Sequence, residues 1–147
     1  MIRTGHRRIV TGLDSEGRSA IIIDGPSDEV AWSTSETPVN NSDNTDAGGK
    51  FSFNMPRGGT SFLALDIPPT SGELFGAGIH ASNTIDYITV VRGEVVLVTE
   101  TGEVACRPGD MIVDRGVMHG WRNEGTQPCL IVCAMIDAAP VGKGATV

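Results

Sequence analysis

The 147-residue sequence is short of positive charge: 11 Lys and Arg stand against 18 Asp and Glu, a net charge of −7. Phosphate-backbone binding rests on clustered Lys and Arg, so no nucleic-acid partner is expected. The one basic cluster, Arg3, His6, Arg7 and Arg8, is short and terminal and reads as solvated charge. Long apolar runs are missing too. None approaches the ~18 residues of a membrane span, and the amino end has no signal-peptide hydrophobic stretch. No membrane partner and a cytoplasmic location are therefore expected. Cysteine is scarce, and its spacing excludes two kinds of staple. Cys129 and Cys133 lie in one apparent strand, on the order of 13 Å apart at ~3.3 Å per residue, beyond disulfide reach. Cys106 could approach either only through tertiary contact, and no CxxC or Cys/His zinc spacing occurs. Three reduced, structural thiols are expected. Helical periodicity is absent as well.

What is present is a series of short β-branched and aromatic runs, with turn signals about every ten residues, as in an all-β sandwich or barrel. Residues 8–11 and 20–24 read as an amino-terminal hairpin around an Asp/Ser/Gly-rich turn, ended by Gly25-Pro26-Ser27. Residues 30–34, 60–67, 86–91, 94–99, 111–114 and 130–136 read as further strands, with Thr101-Gly102 making another hairpin. Residues 35–50 are almost all small and polar and cannot bury enough surface to offset ordering entropy, which predicts a long surface loop. Residues 138–147, rich in Gly, Ala and Pro, read as a loose tail. The whole of 1–147 is expected to form one domain, since a chain this long buries about 68–70% of its unfolded surface.

Residues 78–123 carry the chemistry. The first segment is Gly78-Ile79-His80-Ala81-Ser82-Asn83-Thr84-Ile85-Asp86, with Gly93 seven residues further on. The second is Pro108-Gly109-Asp110, followed by Asp114-Arg115-Gly116 and then His119-Gly120-Trp121-Arg122-Asn123. Side chains alternate along a strand, so His80, Ser82, Thr84 and Asp86 share a face if the segment is extended. On the same parity Tyr87 points away and reads as packing, while Trp121 shares the face of His119 and reads as a pocket wall or as barrel packing. For each histidine alone, a hydrogen-bonded core role is the simpler reading; Asp86 could cap backbone amides, and Asn123 reads as a turn cap.

The two segments resemble the paired motifs of the cupin superfamily, small single-domain jelly-roll β-barrels. The resemblance implies a cupin β-barrel with an extra amino-terminal β-hairpin. Within that family the wording is similar to a group of small cupins found beside genes for aromatic or polyketide metabolism in bacteria and fungi. The sequence departs from the pattern in three places: Ser82 replaces the second histidine, Asp86 replaces Glu, and Asp114-Arg115-Gly116 replaces a Pro-x-Gly turn. By resemblance His80, Asp86 and His119 converge in the barrel, with Ser82 in the position of the missing ligand and Ser82, Thr84 and Trp121 bordering a substrate pocket. Two imidazoles and a carboxylate suit a divalent metal such as Fe, Mn, Zn or Ni. Without metal, a histidine beside a carboxylate is an acid/base pair. The expected function is an enzyme acting on a small carbonyl- or hydroxyl-bearing metabolite, as oxygenase, lyase or isomerase; the alternative is a non-catalytic ligand-binding or sensor module. A homodimer is the expected assembly.

Overall fold

The computed structural model describes residues 5–142 and 146–147, and Arg3 of the basic cluster lies outside them. The described residues form ten strands and no helix, so none is long and apolar enough to cross a membrane. The amino-terminal hairpin pairs β1 (His6–Leu13) with β2 (Ser19–Ser27) as a separate two-stranded sheet. In place of the stop expected at Gly25-Pro26-Ser27, β2 runs on to Ser27, with Arg7 opposite Pro26. A proline is tolerated there because β2 has a neighbour on one side only, so no second ladder depends on the N–H that Pro26 lacks.

The barrel is built from two antiparallel sheets. The larger runs β3 (Val30–Thr34), β4 (Thr60–Ile67), β10 (Cys129–Asp137), β5 (Thr84–Arg92), β8 (Met111–Asp114), in that spatial order. The smaller is β7 (Glu103–Cys106), β6 (Val95–Thr99), β9 (His119–Arg122). Alternation decides which face is inside. Along β5, Thr84, Asp86, Ile88 and Val90 are buried while Tyr87 is half exposed. Central β10 buries Cys129, Ile131, Cys133 and Met135, which meet Ile67, Val90, Val95, Cys106 and Trp121 between the sheets. Each of these large apolar side chains contributes roughly 1.5–3 kcal/mol when taken fully out of water. All three cysteines are free and buried.

The long polar segment is exposed but tied down at its far end. Asn44 Nδ2 donates to the Leu13 carbonyl at 2.8 Å, Arg8 grips the Asp46 carboxylate with both terminal nitrogens, and Gly49 bridges Val30. Two glycines permit this approach: a Cβ on Gly12 would stand 2.3 Å from Asn44 Oδ1, and one on Gly48 would stand 2.4 Å from Arg8. Of the expected loose tail, residues 143–145 lie outside the described residues; Ala138 N donates to the Asn83 carbonyl and Val147 N to that of Ala81, each at 2.9 Å.

Candidate active site

Barrel closure brings the two motif segments together through main chain first. His80 and His119 exchange backbone hydrogen bonds, each 2.9 Å, as an isolated antiparallel bridge between the segment before β5 and the start of β9. His80 is therefore held by this bridge, because β5 begins only at Thr84. The ring centroids are 4.7 Å apart at 53°. Each ring uses the same local device: His80 Nδ1 lies 3.0 Å from the Gly78 carbonyl and His119 Nδ1 2.8 Å from the Val117 carbonyl. A carbonyl accepts and never donates, so each carbonyl favours the tautomer with the proton on Nδ1 and Nε2 as the acceptor.

Asp86 is 7% exposed, and its Oδ1 has no hydrogen-bond partner among the described residues. Burial is the main reason its carboxyl is pushed up to about 6; the Thr84 hydroxyl and His119 pull it back, and Asp114 adds to the rise. His119 is 4% exposed. Burial lowers its pKa, but Asp114, the Val117 carbonyl and Asp86 outweigh burial and leave the net shift upward. Both groups are shifted upward, and the rise of Asp86 brings its carboxyl up to the range in which proton exchange near neutral pH is possible.

Ser82, Thr84 and Asp86 form a buried polar row along the entry to β5, with Ser82 Oγ and Thr84 Oγ1 hydrogen-bonded at 2.8 Å. Ser82 and Thr84 line a cavity of about 200 Å³ at the mouth, together with Phe53, Met55, Met135 and Asp137. That is the liquid volume of about seven waters. A larger cleft of about 660 Å³ lies between the hairpin, Trp32 and Phe62, and its walls include none of these polar residues. Trp121 packs in the core, 7% exposed and edge-on to His119 with ring centroids 6.1 Å apart. Tyr87 points outward, half exposed. Asn123 caps a turn and does more: its Oδ1 accepts from Gly125 N at 2.9 Å, and its Nδ2 donates to the carbonyls of Ile67 and Gln127.

Two neighbours of the site were not anticipated. Asp114, expected as a turn residue, is 4% exposed and pairs directly with Asp86 across the β5–β8 ladder. Its Oδ1 accepts from the amides of Gly116 and Val117, while its Oδ2 lies 2.7 Å from His119 Nδ1. Strand parity carried the signal, since Ile112 and Asp114 share the inner face of β8. Phe53 stands edge-on to His80 at 5.4 Å from a loop where nothing in the local pattern marks it.

The free Nε2 atoms of both histidines suit a metal, yet among the described residues no three His, Cys, Asp or Glu side chains converge closely enough to hold one. The Ser82 hydroxyl is already engaged with Thr84. As arranged, the donor set among the described residues falls short of a ligand shell.

The antiparallel sheets form a jelly roll with polar residues gathered between the paired motif segments, and residues 69–135 match the family model described as "Cupin domain". More particularly, the chain is 29% identical over 155 residues to a cupin-domain-containing oxidoreductase, fogC, of Aspergillus ruber, spanning 91% of this chain and 73% of the relative. It is 27% identical over 152 residues to another so named, srdB of Neurospora crassa, spanning 91% and 74%. Among solved structures, the cupin domain of Schizosaccharomyces pombe Cnp3 superposes with a TM-score of 0.53 over 91% of this chain and 89% of that one, at 11% identity. That likeness concerns the fold.

Proposed function

We propose that the chain is a biosynthetic enzyme that moves protons on a small hydroxyl- or carbonyl-bearing metabolite held at the barrel mouth. The observation that carries this reading is the buried Oδ1 of Asp86, an acceptor without a hydrogen-bond donor among the described residues, as is the neighbouring Asp114 Oδ2. A substrate hydroxyl supplies that donor. His119, with Nδ1 committed to the Val117 carbonyl, presents Nε2 to take or return a proton. The oxidoreductase names of its relatives support placing this chemistry in the conversion of a small metabolite. The exposed apolar residues Ile9, Leu13 and Ile21 on the hairpin support a homodimer.

The test is a screen of small hydroxy and carbonyl compounds for turnover, run with His119→Ala and Asp86→Asn beside the wild type and with metal content measured on each. Turnover lost on the order of 10²–10⁴-fold in both variants, with fold retained, is the expected result. Ligand binding without turnover in the wild type would favour the sensor reading. Near-stoichiometric iron or manganese lost in His119→Ala would replace the metal-free proton chemistry with metal chemistry.

A further inference from the structure

We propose that Asp114 is the positioning residue of this site: one carboxylate oxygen locks the turn between β8 and β9, and the other sets which nitrogen of His119 carries the proton. The proposal rests on the reading of His119 as the proton-exchanging group.

Three observations converge on it. Asp114 is as buried as His119, and its Oδ1 is fully occupied by the Gly116 and Val117 amides at 3.0 and 3.3 Å, which fixes the carboxylate plane. Its Oδ2 then has no hydrogen-bond partner of good geometry among the described residues and lies 2.7 Å from His119 Nδ1. The turn sits close behind the entry to β5: a Cβ built on Gly116 would stand 2.5 Å from the Ser82 carbonyl and 2.7 Å from that of Thr84. The His119 Nδ1 atom thus faces two acceptors, the Val117 carbonyl and the Asp114 carboxylate. A lone pair there would meet two oxygens of negative charge, so the neutral ring must hold its proton on Nδ1 and leave Nε2 as the acceptor. When Nε2 accepts a proton, the same carboxylate stabilises the imidazolium. His80 makes the instructive contrast: among the described residues its Nδ1 has the Gly78 carbonyl alone as hydrogen-bond acceptor.

Asp114→Asn tests this directly. The asparagine Oδ1 keeps the two amide bonds, and its NH₂ then points at His119 Nδ1. A donor there favours the lone pair on Nδ1 and moves the proton to Nε2. Imidazole ¹⁵N shifts of the free protein, recorded above the pH at which the rings titrate, read this without a substrate. The expected result is Nδ1–H for His119 in the wild type, Nε2–H in the variant, and no change at His80. An Nδ1–H ring in a folded Asp114→Asn protein, or an Nε2–H ring in the wild type, overturns the proposal. Asp114→Ser, which keeps an acceptor for the Gly116 amide, is the second variant should the first fail to fold; it is expected to give a mixture of tautomers, and an unmixed Nδ1–H ring counts against Asp114. The two readings separate cleanly. If Asp114→Asn flips the tautomer yet turnover stays within about threefold of wild type, Asp114 positions the ring as proposed, and His119 is not the proton-exchanging group.

Discussion

Gly17, in the hairpin turn, and Gly116, in the turn behind the candidate site, adopt nearly the same left-handed backbone, with φ of +76° and +75°. Their surroundings differ completely. Nothing lies within 4 Å of a Cβ built on Gly17, whereas one on Gly116 would stand 2.5 Å from the Ser82 carbonyl and 2.7 Å from that of Thr84. The same contrast separates the charges of the two regions. Asp14 and Arg18 pair in the hairpin in contact with solvent, while Asp114 and His119 pair at 5% exposure or less. One end of the molecule is therefore local and forgiving; at the other, each residue constrains its neighbours.

The sharpest way to break this comparison is to substitute alanine at both glycines. Gly17→Ala bears only the left-handed backbone cost, about 1–2 kcal/mol. Gly116→Ala bears that cost and must also push apart the backbone entering β5, for a total of more than about 3 kcal/mol. Urea unfolding measures both, and equal losses would mean that the site turn yields as freely as the hairpin does.

A smaller effect comes from the buried carboxyl. Asp86 titrates near 6 in the folded chain and near 3.8 when unfolded, so between these values the folded state holds a proton that the unfolded state has lost. Stability from this group is complete below the unfolded value and is lost as pH rises through about 6. The raised pKa of His119 acts in the same direction, its contribution falling away as pH rises past the ordinary histidine range. Asp86→Asn should therefore flatten the pH dependence of the urea midpoint and be more stable than wild type above pH 7 by roughly 1–3 kcal/mol. Parallel curves for the two proteins would show that Asp86 is better hydrated than its burial indicates.

The smallest effect belongs to the hairpin again. Ile21 is 60% exposed, and Ile21→Ser should move the midpoint by no more than about 0.5 kcal/mol in dilute protein. A larger loss that grows with protein concentration would place the hairpin in an interface between copies.

Much of the barrel was legible because alternation and turn residues are local signals. The runs at 30–34 and 60–67 coincide with β3 and β4, and the inward set Thr84, Asp86, Ile88 and Val90 follows from parity alone. Pro26 misled, since its effect depends on whether a strand has a second neighbour, which is a property of the sheet. At the site, His80 and His119 are marked by spacing. Their mutual bridge is a tertiary fact that extended-strand reasoning about residues 80–86 does not contain. Asp114 shows the limit best: Asp before Arg-Gly is a good turn former, and it does form the turn, but its second oxygen acquires a role only once β9 folds back beside it.

The buried thiols have a practical consequence. Burial pushes Cys106 and Cys133 above the usual thiol range and Cys129 up to about 11, so all three resist alkylation while the barrel is closed. A Val113→Cys substitution, on the 60% exposed outer side of the edge strand β8, would then give the molecule a single reactive handle one residue from Asp114. A fluorophore attached there would report opening of the barrel mouth, with the native cysteines left silent until the chain unfolds.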